Sequence, residues 1–161
     1  MQKLAVFGML FAVAALGGCG NSATAVSRSQ TTVERGIFIS SGDCADAGKL
    51  TIDQCGQAID AAVTLHQNQA PSYKSLHACA EVEGPDRCAR DVDGAYRSNV
   101  QAFFVTMSNR PSAVPLYASR DGTVGFLGLD KKAFVVNDDD YTMSAAAQAI
   151  AHENAKLRKR I

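Results

Sequence analysis

The sequence predicts an α+β domain: a disulfide-braced helical hairpin, then a small antiparallel sheet and a C-terminal helix. Three observations carry this expectation. Thr51-Ile52-Asp53-Gln54 reads as a capping box opening a run with helical spacing. Arg120-Asp121-Gly122 lies between the apolar runs Leu116-Tyr117-Ala118 and Val124-Gly125-Phe126-Leu127, a strong hairpin signal. Four cysteines beyond the N-terminal stretch form an even set that suits two bridges.

The chain opens with Met1-Gln2-Lys3 and a nearly unbroken apolar run from Leu4 to Leu16, the layout of a secretory signal. The run falls short of the ~20 residues that cross a bilayer. It ends in Leu16-Gly17-Gly18-Cys19, which resembles the lipobox of bacterial lipoproteins, so cleavage before Cys19 and lipid on its thiol are expected. Gly20 in the next position, where an Asp would resemble an inner-membrane retention signal, points to the periplasmic side of an outer membrane. Removal of the first 18 residues leaves 143 of 161, the size of one domain. Residues 19–34, rich in Ser, Thr, Ala and Asn, read as a flexible tether, and 35–161 as a single globular domain.

Within that domain the first helix carries Ile52, Cys55, Ile59, Ala62, Val63 and His66 on its apolar side and stops near Asn68, ahead of Pro71. A second helix is expected from near Ser72, with Tyr73, Leu76, Cys79 and Ala80 on one side, ended by Gly84-Pro85. Helices joined by a short connection tend to lie antiparallel. That arrangement favours Cys55 facing Cys79, with Cys44 and Cys88 meeting outside them; local pairing, Cys44 with Cys55 and Cys79 with Cys88, is the alternative. Ten residues separate the first two cysteines and eight the last two, too far apart for the close pairs of a structural zinc site. In an exported chain, disulfides are the simpler reading.

The second half turns to β. Val100 to Met107 suits a buried strand or a short helix. The Asp121-Gly122 hairpin follows, then Ala133-Phe134-Val135-Val136 as a third strand after a turn at Asp130-Lys131. An Ala-rich helix from about Ser144 to Arg158 closes the chain, its basic end where the helix dipole favours positive charge. It is low in bulky apolar residues and is expected to pack loosely.

Charge excludes some partners. Without Lys3, 15 basic residues stand against 16 acidic ones, which argues against nucleic acid. The sequence contains no phosphate loop, dinucleotide fingerprint or Gly-x-Ser-x-Gly elbow, so no cofactor or catalytic motif is read. His152-Glu153 lacks the second histidine of a zinc protease helix. Asp138-Asp139-Asp140 lacks the spacing of a calcium loop and reads as a solvated turn or cap. His66, His77 and Asp60 are the residues that would carry a hydrolase-like or small-ligand site if the two helices brought them together. Tyr73 reads as a packing anchor at the helix junction.

Asp43-Cys44, Cys55 at a helix start, Ala70-Pro71-Ser72-Tyr73, then Cys79 and Cys88 resemble the YgiB-type family of uncharacterised bacterial lipoproteins, a domain of unknown function. The likeness covers the lipobox and Asp43 to Cys88. Members of that family often run on into a Gly-, Ser- and Gln-rich tail, whereas the segment after Cys88 here is apolar-patterned. The resemblance implies a lipoprotein and brings no catalytic residues. The expectation is therefore a lipid-anchored protein of the cell envelope, bound to membrane through Cys19, that binds an envelope protein partner or scaffolds without catalysis.

Overall fold

A computed structural model describes residues 33–158. The apolar N-terminal run, Cys19, most of the tether and the last basic residues lie outside them. A six-stranded sheet forms the centre of the domain, in the order β7-β6-β5-β4-β1-β8. Its strands are β1 (Glu34–Phe38), β4 (Ala102–Met107), β5 (Ser112–Ala118), β6 (Gly125–Leu127), β7 (Ala133–Val135) and β8 (Thr142–Met143). All neighbours are antiparallel except β8, which runs parallel to β1. A two-stranded sheet, β2 (Cys88–Arg90) with β3 (Tyr96–Ser98), stands apart from it.

The period-two alternation of strands sorts side chains to two faces. Ile37, Ala102, Leu116, Phe126 and Phe134 go to one face and meet α4 (Ala145–Arg158) through Ala147 and Ala151. Phe38 and Val105 go to the other and meet Cys44 and Cys55 of α1 (Ser41–Asp46) and α2 (Ile52–Gln69). The domain is thus α+β, with helices on both faces of a mostly antiparallel sheet. The expected loose packing of α4 is not what forms. Ala147, Ala151 and Ala155 recur every four residues and are buried, so small side chains bring the helix close to the sheet. Gly125 allows a similar approach within the sheet, because a Cβ there would collide with the Phe134 carbonyl of β7.

The capping box forms as expected. Thr51 Oγ1 accepts from Gln54 N at 3.2 Å and Gln54 Oε1 accepts from Thr51 N at 2.9 Å. The next helix, α3, begins later than expected and spans Leu76–Glu83. Ser75 caps it, its Oγ accepting from Ala78 N. The reason is Tyr73, whose backbone pairs with that of Tyr96 through bonds of 2.9 and 3.0 Å and holds the chain extended.

The helical pairing also differs from expectation. α2 packs on β5, and α3 packs on β2 and β3. The nested disulfides are accordingly replaced by local ones, Cys44–Cys55 and Cys79–Cys88. The separate helix α1, missed in the sequence, sets Cys44 against the first turn of α2. Gly84, at φ 107°, turns the chain back so that Cys88 returns beside Cys79. Asp43 locks the same corner. Its Oδ2 accepts from Ile39 N at 2.9 Å and from Ser144 Oγ at 2.6 Å, tying the start of α1 to the start of α4.

Digestion without reductant is expected to release Cys44 joined to Cys55 and Cys79 joined to Cys88; mass-spectrometric recovery of Cys55–Cys79 peptides would contradict this topology. Replacing Cys44 and Cys55 together with alanine should cost about 3 kcal/mol in denaturant unfolding, from the loop-closure entropy of a bridge of this span.

Candidate functional site: a polar cleft around Glu83

The three residues singled out in the sequence do not converge. Asp60 and His66 share α2 but sit six residues apart, about 9 Å along the axis and on different faces. Asp60 faces solvent. His77, on the first turn of α3, is 84% exposed and pairs with Glu81 at 3.3 Å. His66 turns inward, where its Nδ1 shares a 2.9 Å hydrogen bond with the Tyr117 hydroxyl of β5. Burial pushes the His66 pKa down; the Arg97 charge adds to this and Asp91 opposes it. Burial pushes the Tyr117 hydroxyl well up, and Glu83 adds to it. Both groups are therefore neutral near pH 7.

The chemistry gathers instead around Glu83, the last residue of α3, which is 6% exposed. Its Oε1 accepts from the Tyr73 hydroxyl at 2.7 Å, and its Oε2 accepts from Ser98 Oγ at 3.2 Å and from the Arg120 guanidinium. Burial alone would raise the carboxyl pKa. The Tyr73 hydrogen bond and the Arg120 charge outweigh burial and hold it below the ordinary range. Tyr73, by burial first and the bond to Glu83 second, is pushed up to about 12. Tyr73 is thus half-buried and works through its hydroxyl and backbone, beyond the packing role expected of it.

Glu83 and Arg120 line a small cavity of about 20 Å³. Ala70, Pro71, Tyr117 and Ala118 also line it, with Leu127 at the end of β6 and Leu129 and Lys131 of the β6–β7 turn. Ser98 borders both this cavity and a second hollow of about 130 Å³ that contains His66, Asp91 and Arg97. Arg97 is buried there and is held by Asp91 at 3.0 Å and by both oxygens of Asp93 at 2.9 and 2.8 Å. That pairing, chiefly the hydrogen bond from Arg97, depresses the Asp93 pKa to about 2. Glu83, Ser98 and Arg120 were not found in the sequence. A glutamate at a helix end looks solvated, and its partner arginine lies 37 residues away. The Ala-Pro-x-Tyr step was the one visible pointer, since it delivers Tyr73 to this place. Asp138 forms a local turn, its Oδ1 accepting from Asp140 N at 2.9 Å, as expected of a solvated run. Among the described residues no group of three or more metal-ligating side chains occurs.

These features define a small, disulfide-braced α+β domain in which a half-buried arginine pairs with a buried carboxylate at the lining of a small cavity. The chain belongs to the family described as "Protein of unknown function (DUF1190)", matched over residues 32–155. No curated protein and no solved structure matches it.

Glu83→Gln keeps the shape and removes the charge. It should lower stability at pH 7 by about 1–3 kcal/mol, because Arg120 loses its buried counter-charge. A depressed carboxyl pKa stabilises the fold above the unfolded value near 4.5 and ceases to do so as pH falls through the folded value. The difference between wild type and variant should therefore shrink below pH 4.5, measured by urea unfolding at several pH values. A constant difference down to strong acid would argue against the pair.

Proposed function

We propose that the protein is a lipid-anchored lipoprotein of the bacterial cell envelope, whose domain binds a partner or scaffolds and is not an enzyme. One observation carries this reading. The chain has five cysteines, and the four in the domain pair with one another. Cys19 is the fifth, directly after Leu16-Gly17-Gly18. Two disulfides suit an oxidising compartment, and a lipobox cysteine suits lipid attachment there. A diacylglycerol together with an N-acyl chain anchors durably, at ~0.8 kcal/mol per buried methylene. The resemblance to YgiB-type lipoproteins and Gly20 after the lipidated residue support the periplasmic face of an outer membrane. A binding role is favoured over catalysis because Asp60 and His77 face solvent on different helices while His66 is committed to Tyr117.

Expression of the full chain in a Gram-negative cell fed an alkyne fatty acid provides the test. The wild type should take up the label and fractionate with outer membrane. Cys19→Ser should lose the label and stay a larger, uncleaved precursor. Label retained in Cys19→Ser, or absent from the wild type, would rule out the anchor.

A further inference from the structure

The turn between β6 and β7 holds a residue that local chemistry does not ask for. Leu129, Asp130 and Lys131 form a three-residue loop, closed by Gly128 N donating to Lys132 O at 2.9 Å and Lys131 N donating to Gly128 O at 3.1 Å. The third position of such a loop is left-handed and ordinarily glycine. Here it is Lys131, at φ 65°. Asp86, the other left-handed non-glycine among the described residues, is of a type that tolerates that conformation; lysine has no such local compensation. The strained backbone sets Lys131 at the wall of the Glu83 cavity, close enough for its charge to act on the Glu83 carboxyl.

The cavity therefore holds two cations, Arg120 and Lys131, against one carboxylate, Glu83. Glu83 already accepts from Tyr73, Ser98 and Arg120. Asp130, next to Lys131, is turned back to accept from Lys132 N at 3.0 Å. The remaining donor capacity is cationic, and it is framed by Leu127 and Leu129. We propose that this cleft is a binding site for a carboxylate carrying a short apolar group, held between Lys131 and the free donors of Arg120. The space of about 20 Å³ takes one water-sized group, so a single carboxylate oxygen enters and the rest of the ligand lies at the mouth. A free short-chain acid and the C-terminus of a peptide present this same chemistry. The site goes beyond the lipid-anchored reading and does not rest on it.

The test is a titration of the disulfide-intact domain, followed by amide chemical shifts, with three probes: propionate, an N-acetylated Ala-Ala dipeptide with a free carboxylate, and the same dipeptide as its C-terminal amide. Saturable shifts at Arg120, Gly128 and Lys131 are expected with both acids and not with the amide. Tighter binding of the dipeptide acid identifies a peptide terminus as the source; equal or tighter binding of propionate identifies a free acid. Lys131→Gly relieves the left-handed strain, so it should fold with an equal or higher melting temperature and yet bind the acids about tenfold more weakly, as expected for loss of one charge-assisted contact. The absence of saturable shifts, equal binding of the amide, or wild-type affinity in Lys131→Gly would overturn the proposal.

Discussion

The arrangement depends on one buried carboxylate. Glu83 ends α3, and α3 with β2 and β3 forms a small lobe whose two-stranded sheet is too short to stand alone. Glu83 reaches out of that lobe to Arg120, just past β5 of the main sheet, while Tyr73 and Ser98 satisfy its other lone pairs. Arg87 adds a second tie across the same junction, donating to the Ser119 carbonyl at 2.7 Å. A charge this buried is tolerable only when paired and hydrogen-bonded. The lobe therefore docks with all its partners in place, because leaving any one out weakens the compensation of a buried carboxylate.

The disulfides explain why that junction is non-covalent. Cys44–Cys55 fastens α1 to α2 over one face of the main sheet, and Cys79–Cys88 fastens α3 to β2 within the lobe. Nested bridges would have tied α2 to α3 and welded the lobe to the sheet. Local bridges stiffen each part and leave the connection to polar contacts and to the Tyr73–Tyr96 backbone pair. The cavity is lined from both parts, by Glu83 and Ser98 of the lobe and by Arg120 and the β6–β7 turn of the main sheet.

What the sequence disclosed follows the range of the interactions. The capping box of α2, the Asp121-Gly122 reversal and the glycine stop of α3 are set by residues within a few positions of one another, and all were legible. β1 was not. Its five residues carry no turn or periodic signal, and their identity as a central strand comes from pairing with β4 and β8, both distant in sequence. The cysteine pairing departs from expectation for a related reason: a short connection suggests two helices packed together, whereas Tyr73 pairs with β3 and carries α3 away from α2. The site was hidden most deeply. His66, His77 and Asp60 have the residue types of catalysis but are dispersed by helical geometry. Glu83 and Arg120 look like ordinary surface charges until the fold removes water from between them.

Fold and site can be separated within the cleft by asking which residues the architecture itself requires. Tyr73 is required twice, by its backbone pair with Tyr96 and by its bond to Glu83, so the Ala-Pro-x-Tyr step is explained by stability. Asp43 is likewise explained by the corner it closes between α1 and α4. Arg120 is required as the counter-charge of Glu83, though one nitrogen is enough for that contact and a guanidinium has donors to spare. Lys131 only adds to the positive charge that Arg120 already sets against Glu83. Glycine would suit its backbone better, and its neighbour Lys132 already provides the cation that lies over Phe134. A residue that opposes the local conformational preference and places charge at a cavity wall is where the needs of the backbone and those of the proposed site part company.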